Sequence, residues 1–427
     1  MVLPPGPSGS RRPRMKALRA KAGYFLLEGG NAFATSFFFS YLLFLFRDQF
    51  HFGNRENLAV GALHGLVYIF GSWHGGRLAQ RRGNHVALAW GFSLMLLGLA
   101  AAGMIPHLAA QIPALLVWTV GMSFTWPALE ALVSEGEDDR GLPRVIGLYN
   151  LVWAGMAGLG YFVGGAIFDH LGKASLYWLP MLFLAAQMAL LAALARRHPH
   201  PLSVPPPPPA PHPLEAAAFQ QPISPATFLK MAWLANPFSY MGINTLLLVI
   251  PDLARRFDLS PTQAGIFCSI WFFTRLAAFA VLWRWTGWHY RFRWLLFSFL
   301  ALLAGFLLLL LARQLWLVVA AQILFGAGAG LIYYSSLFYS MDVGEETRGA
   351  HGGLHEAAIG LGICAGPALG AGSLQLLPSQ PNAHTWAVAA LMALGLVALL
   401  WFRFHRKSCF TNSPSDRHNA GRNIGCL

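Results

Sequence analysis

Apolar runs of about twenty residues recur along the whole chain, each cut off by a short polar stretch, and a run of that length crosses a bilayer core as a helix. Twelve such runs can be drawn, near residues 23–46, 58–75, 85–105, 109–132, 144–168, 175–195, 227–250, 262–283, 294–312, 314–340, 352–376 and 385–403. A backbone in hydrocarbon must satisfy its own hydrogen bonds, and at this run length the helix is the way to do it. The pattern predicts an all-α integral membrane protein with twelve transmembrane helices. One connection is long: residues 196–226, where Pro205 to Pro209 are unbroken. A proline run is stiff, extended and solvated, so this segment reads as a linker between two six-helix halves, 23–195 and 227–405. A basic tail (1–22) precedes them and a polar tail (406–427) follows; the second lacks apolar periodicity and is expected to be disordered.

Composition narrows the classes. Of 427 residues, 56% are hydrophobic and 11% charged, which excludes a large soluble catalytic domain. The net charge of +13 would suit nucleic acid if it were gathered on one folded face, but the basic residues are scattered between apolar runs, and no nucleic-acid partner is expected. With an intracellular N-terminus, 23 of the 30 Lys and Arg fall in inner segments and only six in outer loops. That asymmetry orients both termini to the cytoplasm, in a plasma membrane or bacterial inner membrane. The basic N-terminal stretch leads into a long span with no small-residue cleavage site, so a removable signal is not expected. Cys268 and Cys364 lie in apolar runs, and Cys409 and Cys426 in the polar tail. Their spacing suits no metal, and neither a disulfide, a metal nor another cofactor is expected.

The halves resemble each other. Gly136, Glu137, Asp138 and Arg140-Gly141 align with Gly344, Glu345, Glu346 and Arg348-Gly349. After a slip of two residues, Gly147 to Asn150 align with Gly353 to Glu356, and Gly160 and Gly164 with Gly366 and Gly370. Asn31 and Phe33 align with Asn236 and Phe238. Parallel halves around a central linker describe a transporter architecture with a midplane site between them.

At this point the chain resembles the major facilitator superfamily over residues 20 to 405. The family signature between the second and third spans, Gly-x-Leu-Ala-Asp-Arg-x-Gly with basic residues after it, is matched here by Gly76-Arg77-Leu78-Ala79-Gln80-Arg81-Arg82-Gly83-Asn84-His85. Gln80 stands where the acidic residue is usual, and Asn84 and His85 replace the basic pair. The resemblance implies that this loop latches the halves on the cytoplasmic side. Gln80 carries no charge for a helix dipole, so the latch is expected to be weaker. Gly76 and Gly83 would permit the tight reversal, and Glu135, Glu137 and Asp138 are the candidate partners of Arg81. Gly158 to Gly165 resembles the glycine-rich motif of the family's drug/proton antiporters, with Tyr161 where proline is usual; simple close packing of helices accounts for it equally.

Ionisable groups within spans are costly. In the first span Glu28, Asn31 and Thr35 share a face at i, i+3 and i+7, expected to look into a cavity, where Glu28 can take up a proton, meet a cationic substrate or merely pack. Asn236, Tyr240 and Asn244 line span seven, its counterpart. Arg275 is the one basic residue within a span, able to bind an anion, neutralise Glu28 or Glu356, or snorkel to an interface. His355 and Glu356 begin span eleven and can relay protons, gate or simply be solvated; Glu130 is open to the same readings, and His64 in span two to helix packing or a transport role. The expectation is a monomeric secondary transporter of a small organic solute, working by alternating access and coupled to protons through Glu28, with His355 and Glu356 the next candidates and export suggested by the glycine motif. The rival is a transporter-like sensor or scaffold that binds without moving its ligand. No nucleotide-phosphate loop is present, so direct ATP drive is not expected, and with no paired catalytic carboxylates, His-rich metal motif or nucleophile elbow among the spans an enzyme is not expected.

Overall fold

A computed structural model describes residues 11–137, 141–197, 224–342 and 348–405, with side chains described over 21–137, 141–197, 224–340, 356 and 358–404. Most of the proline-rich linker, the predicted disordered tail, Asp138, Arg140, Gly344 to Glu346 and the side chain of His355 lie outside the described residues.

Thirteen helices are described: α1 (Arg11–Phe50), α2 (Asn54–Arg82), α3 (Asn84–Met104), α4 (Leu108–Ser134), α5 (Leu142–Leu171), α6 (Ser175–Arg197), α7 (Pro225–Arg256), α8 (Pro261–Phe267), α9 (Ile270–Arg284), α10 (Phe292–Leu311), α11 (Leu315–Asp342), α12 (Arg348–Leu376) and α13 (Ala383–His405). Among the described residues, eleven stretches are long and apolar enough to cross a membrane, with α8 and α9 together forming one of them. Helix α2 is long enough but less apolar, because glycines at 61, 65, 71, 75 and 76 and the imidazoles of His64 and His74 dilute its hydrophobic character. It is nonetheless held inside the bundle, against α4 and α12. Helix α1 starts at Arg11, inside the segment read as a tail: Lys16 to Ala22 consists of strong helix formers with no Gly or Pro among them.

The predicted eighth span is broken at Cys268 and Ser269, between α8 and α9. A break in a membrane helix frees backbone groups that need new partners. Gln322 of α11 supplies both: its Nε2 donates to the Phe267 carbonyl at 2.7 Å, and its Oε1 accepts from the Trp271 amide at 3.3 Å. Gln322→Leu leaves a buried donor and a buried acceptor unpaired, at a cost of about 1 to 3 kcal/mol for each orphaned group. The thermal midpoint of the purified variant should therefore fall by several degrees, whereas Gln322→Glu, which keeps an acceptor, should fall less.

The helices pack in a pattern that occurs twice. Helix α1 touches α4, α5 and α6, α2 touches α4, and α3 touches α4 and α6; likewise α7 touches α11, α12 and α13, α9 touches α11, and α10 touches α11 and α13. The first six helices meet the others where α2 lies along α12 and where α5 lies along α8 and α9. Glycine makes both approaches possible. A Cβ on Gly65 would stand 2.5 Å from the backbone nitrogen of Cys364, and one on Gly165 would stand 2.0 Å from the Pro261 carbonyl oxygen. Within the glycine-rich stretch, Gly160 and Gly164 instead seat α5 on α1, against Phe33, Phe37 and Tyr41.

At the end of the bundle where α1 and α7 finish, polar contacts join the two sets. Asn54 Nδ2 donates to Asp252 Oδ2 at 3.1 Å, Arg47 Nη1 to the Pro251 carbonyl at 3.2 Å and Arg55 Nη1 to Gln375 Oε1 at 2.8 Å. Asp169 Oδ2, at the end of α5, accepts from both the amide (2.9 Å) and the hydroxyl (2.5 Å) of Thr262 at the start of α8.

Candidate functional site

A cavity of about 200 Å³ lies in the bundle interior, walled by α1, α2, α4 and α5 on one side and by α7, α9, α11 and α12 on the other. Most of these helices contribute residues at helical spacing, so that one stripe faces inward. Thr35 and Phe39 do so from α1, Tyr240, Asn244 and Leu247 from α7, and Glu356, Ile359 and Ile363 from α12. Trp118, Trp126, Tyr149, Trp153, Phe272 and Tyr333 make much of the wall aromatic.

Arg275 lines this cavity and is only 3% exposed. It does not snorkel. Its guanidinium carbon lies 4.7 Å from the Trp153 ring centroid, 5.1 Å from Tyr333, 5.4 Å from Phe279 and 5.7 Å from Tyr240. One nitrogen, Nη2, donates to the Tyr240 hydroxyl at 3.3 Å, and Nε is buried without a partner. Among the described residues it forms no ion pair with any carboxylate, so neither Glu28 nor Glu356 neutralises it by contact.

Two carboxyl groups and an imidazole also stand on the wall. Glu356, buried at 7% exposure, accepts at Oε2 a 2.7 Å hydrogen bond from the Tyr68 hydroxyl, which ties α2 to α12. Glu130 of α4 faces the same space. His64 Nδ1 lies 2.8 Å from Thr119 Oγ1, and that hydroxyl already donates to the Leu115 carbonyl at 2.7 Å. Thr119 is therefore the acceptor in the first contact, so His64 carries its proton on Nδ1 and leaves Nε2 as an acceptor when neutral. Its ring lies tilted against Phe39, with centroids 4.6 Å apart.

The predicted site residues are thus divided. Thr35, Tyr240, Asn244, Arg275 and Glu356 reach the cavity together, while Glu28, Asn31 and Asn236 do not line it. Asn31 is turned toward α4, donating to Thr125 Oγ1 at 3.0 Å. Glu28 lies about two turns below Thr35, fully buried, both oxygens without a hydrogen bond of ordinary geometry. Tyr149, on the cavity wall, faces Glu28. Asn236 precedes Tyr240 by one turn, and both its side-chain polar atoms are buried without partners. Asn244 spends its amide on the Tyr240 carbonyl at 3.0 Å.

The loop motif also differs from its reading. Gly83 makes the reversal, at φ +92° with its amide on the Ala79 carbonyl, whereas Gly76 sits within α2 and approaches nothing. Gln80 and Arg81 are exposed, and among the described residues Arg81 forms no ion pair. Glu137, a candidate partner, pairs with Lys21 instead, and Arg77 lies over the Trp73 ring at 4.7 Å. His85, standing in place of a basic residue, is 2.9 Å from the Tyr24 hydroxyl.

The sequence matches the family model described as Major Facilitator Superfamily over residues 5–160 and 232–422. The chain belongs to the major facilitator superfamily. The fold agrees with solved structures of that kind. The human organic anion transporter MFSD10 (TETRAN) superposes with a TM-score of 0.62 at 15% identity, covering 90% of this chain and 99% of that one. A POT family transporter in complex with 5-aminolevulinic acid gives 0.69 at 12% identity, covering 90% and 96%. The nucleoside transporter NupG gives 0.65 at 15%, covering 90% and 99%. No curated protein gives a significant match by sequence. Family and fold together point to a multi-pass membrane transporter with a small-molecule substrate rather than to an enzyme.

Proposed function

We propose that this superfamily member is a monomeric, proton-coupled secondary carrier of a small organic solute. It works by alternating access between two six-helix halves, residues 23–195 and 227–405, joined by the cytoplasmic linker 196–226. The observation that carries this reading is the cavity, which takes its walls from both sets of helices and contains ionisable groups that a purely structural core has no reason to hold. The twofold recurrence of helix contacts supports the division into halves. With the charge count setting the N-terminus inside, the end tied by Asp252 and Asp169 is extracellular, and the structure corresponds to a state closed on that side.

Glu356 is the group we assign to the coupling proton, because it faces the cavity and Tyr68 fixes its position. Glu28, behind Tyr149, is the next station inward. Burying an isolated charge costs far more than burying the neutral acid, so a carboxyl group on such a path is well placed to exchange a proton as the cavity changes sides.

The test is a solute-library thermal-shift screen on purified protein, followed by counterflow of each hit in liposomes. A carrier should give a saturable hit that also exchanges across the membrane. Saturable binding with no counterflow would establish the rival reading, a sensor or scaffold built on a carrier fold.

A further inference from the structure

We propose that the cavity is built for an organic anion, and specifically that Arg275 is the anchor for a carboxylate carried on a planar apolar body. This rests on the carrier reading above and names the substrate class of the same site.

The argument begins with the kinds of charge present. Glu130 and Glu356 can each lose their charge by taking up a proton, but a guanidinium remains protonated throughout the working range of proteins. Among the described residues, the one fixed charge on the cavity wall is therefore positive. It is 3% exposed and makes no ion pair among the described residues. A buried charge without a counter-charge is expensive, and a solute arriving with an anionic group supplies what the protein withholds.

Geometry favours the same partner. The aromatic rings of Trp153, Tyr333, Phe279 and Tyr240 surround the guanidinium and partly compensate it through their π faces. Rings of this kind would also suit a cationic solute, but here they are already engaged by Arg275. The hydrogen-bond edge of the guanidinium is underused: Nε has no partner, and Nη2 has only a long bond to Tyr240. Nε together with a terminal nitrogen forms the fork that takes both oxygens of a carboxylate. Much of the rest of the wall is Trp and Tyr rings with Ile359 and Ile363, which suits a flat apolar body of one or two rings.

The experiment uses full-length protein in detergent and sets of three probes that share a skeleton. Each of 2-naphthoate, benzoate and hexanoate is compared with its neutral amide and with the matching primary amine. Carboxylates should raise the thermal midpoint saturably while amides and amines of the same shape do not. Arg275→Gln should weaken the carboxylate response about tenfold or more, and Arg275→Lys by less, because the charge stays but the fork is lost. An amide or amine that protects as well as its carboxylate overturns the proposal, as does a panel in which no carboxylate binds. Undiminished carboxylate binding to Arg275→Gln also overturns it. The wild-type comparison stands even if that variant fails to fold. Counterflow separates this inference from the carrier reading. An anion that binds without exchanging leaves the site and removes the carrier, whereas exchange of a neutral solute indifferent to every carboxylate leaves the carrier and removes the site.

Discussion

Glu356→Gln should abolish solute accumulation driven by a pH gradient while leaving solute exchange across liposomes near the wild-type rate. One proton moved with each solute supports about a tenfold concentration ratio for each pH unit imposed, since a factor of ten in proton activity is worth about 1.4 kcal/mol. The variant should fall from that ratio to unity. Glutamine keeps the length of the side chain and a carbonyl oxygen for the Tyr68 hydroxyl, so packing between α2 and α12 is preserved and only titration is lost. Tyr68→Phe is the control: it removes one hydrogen bond, worth about 1 kcal/mol net, and should shift the pH dependence without uncoupling transport. Glu28→Gln separates two arrangements of the path. If protons reach Glu356 by way of Glu28, that variant should also lose accumulation; if Glu28 only packs behind Tyr149, it should transport as the wild type does. Unchanged accumulation in Glu356→Gln would sink the assignment of the coupling proton to this residue.

Run length made the helices readable because a bilayer imposes it, and the family followed from the loop beginning at Gly76. The break at Cys268 and Ser269 was not readable, since neither residue is a helix breaker and the group that makes the break tolerable, Gln322, lies 54 positions after Cys268. The same limit governs the site. Arg275 could be picked out as the lone basic residue within a span, but its cage could not: Trp153, Tyr240 and Tyr333 belong to three other helices, and among 32 Phe, 15 Trp and 11 Tyr nothing marks them. Periodicity does tell which face a residue occupies. It says nothing of what stands in front of that face, and so Glu28 shares a stripe with Thr35 yet lies behind Tyr149 rather than on the cavity wall. Gly76 was misread for a related reason, as one glycine suffices for the reversal and Gly83 adopts the positive φ.

Covalently bridging positions 54 and 252 should stop exchange almost completely, and reducing the bridge should restore it. The ends of α2 and α7 are joined by Asn54 and Asp252, and if the carrier opens on that side they must part. The native tie is weak enough to allow this. Asp252 is half-buried and also engages Arg255 and Arg256, and polar pairs that remain partly in contact with solvent are worth about 1 kcal/mol each. Thermal motion breaks contacts of that strength readily, whereas a covalent bridge cannot be broken in this way. The experiment places Asn54→Cys and Asp252→Cys in a chain whose own cysteines are replaced, and treats it in liposomes with a short bifunctional methanethiosulfonate. The uncrosslinked double variant should exchange at least as fast as the wild type, because it has lost the tie and gained nothing in its place. Treatment should then remove exchange in proportion to the fraction bridged, and each single-cysteine variant should remain active under the same reagent. Full exchange at complete bridging would mean that α2 and α7 move as one body. The cavity would then have to reach the outside by another route, and the Asp169 and Thr262 contact between α5 and α8 would be the place to look for it.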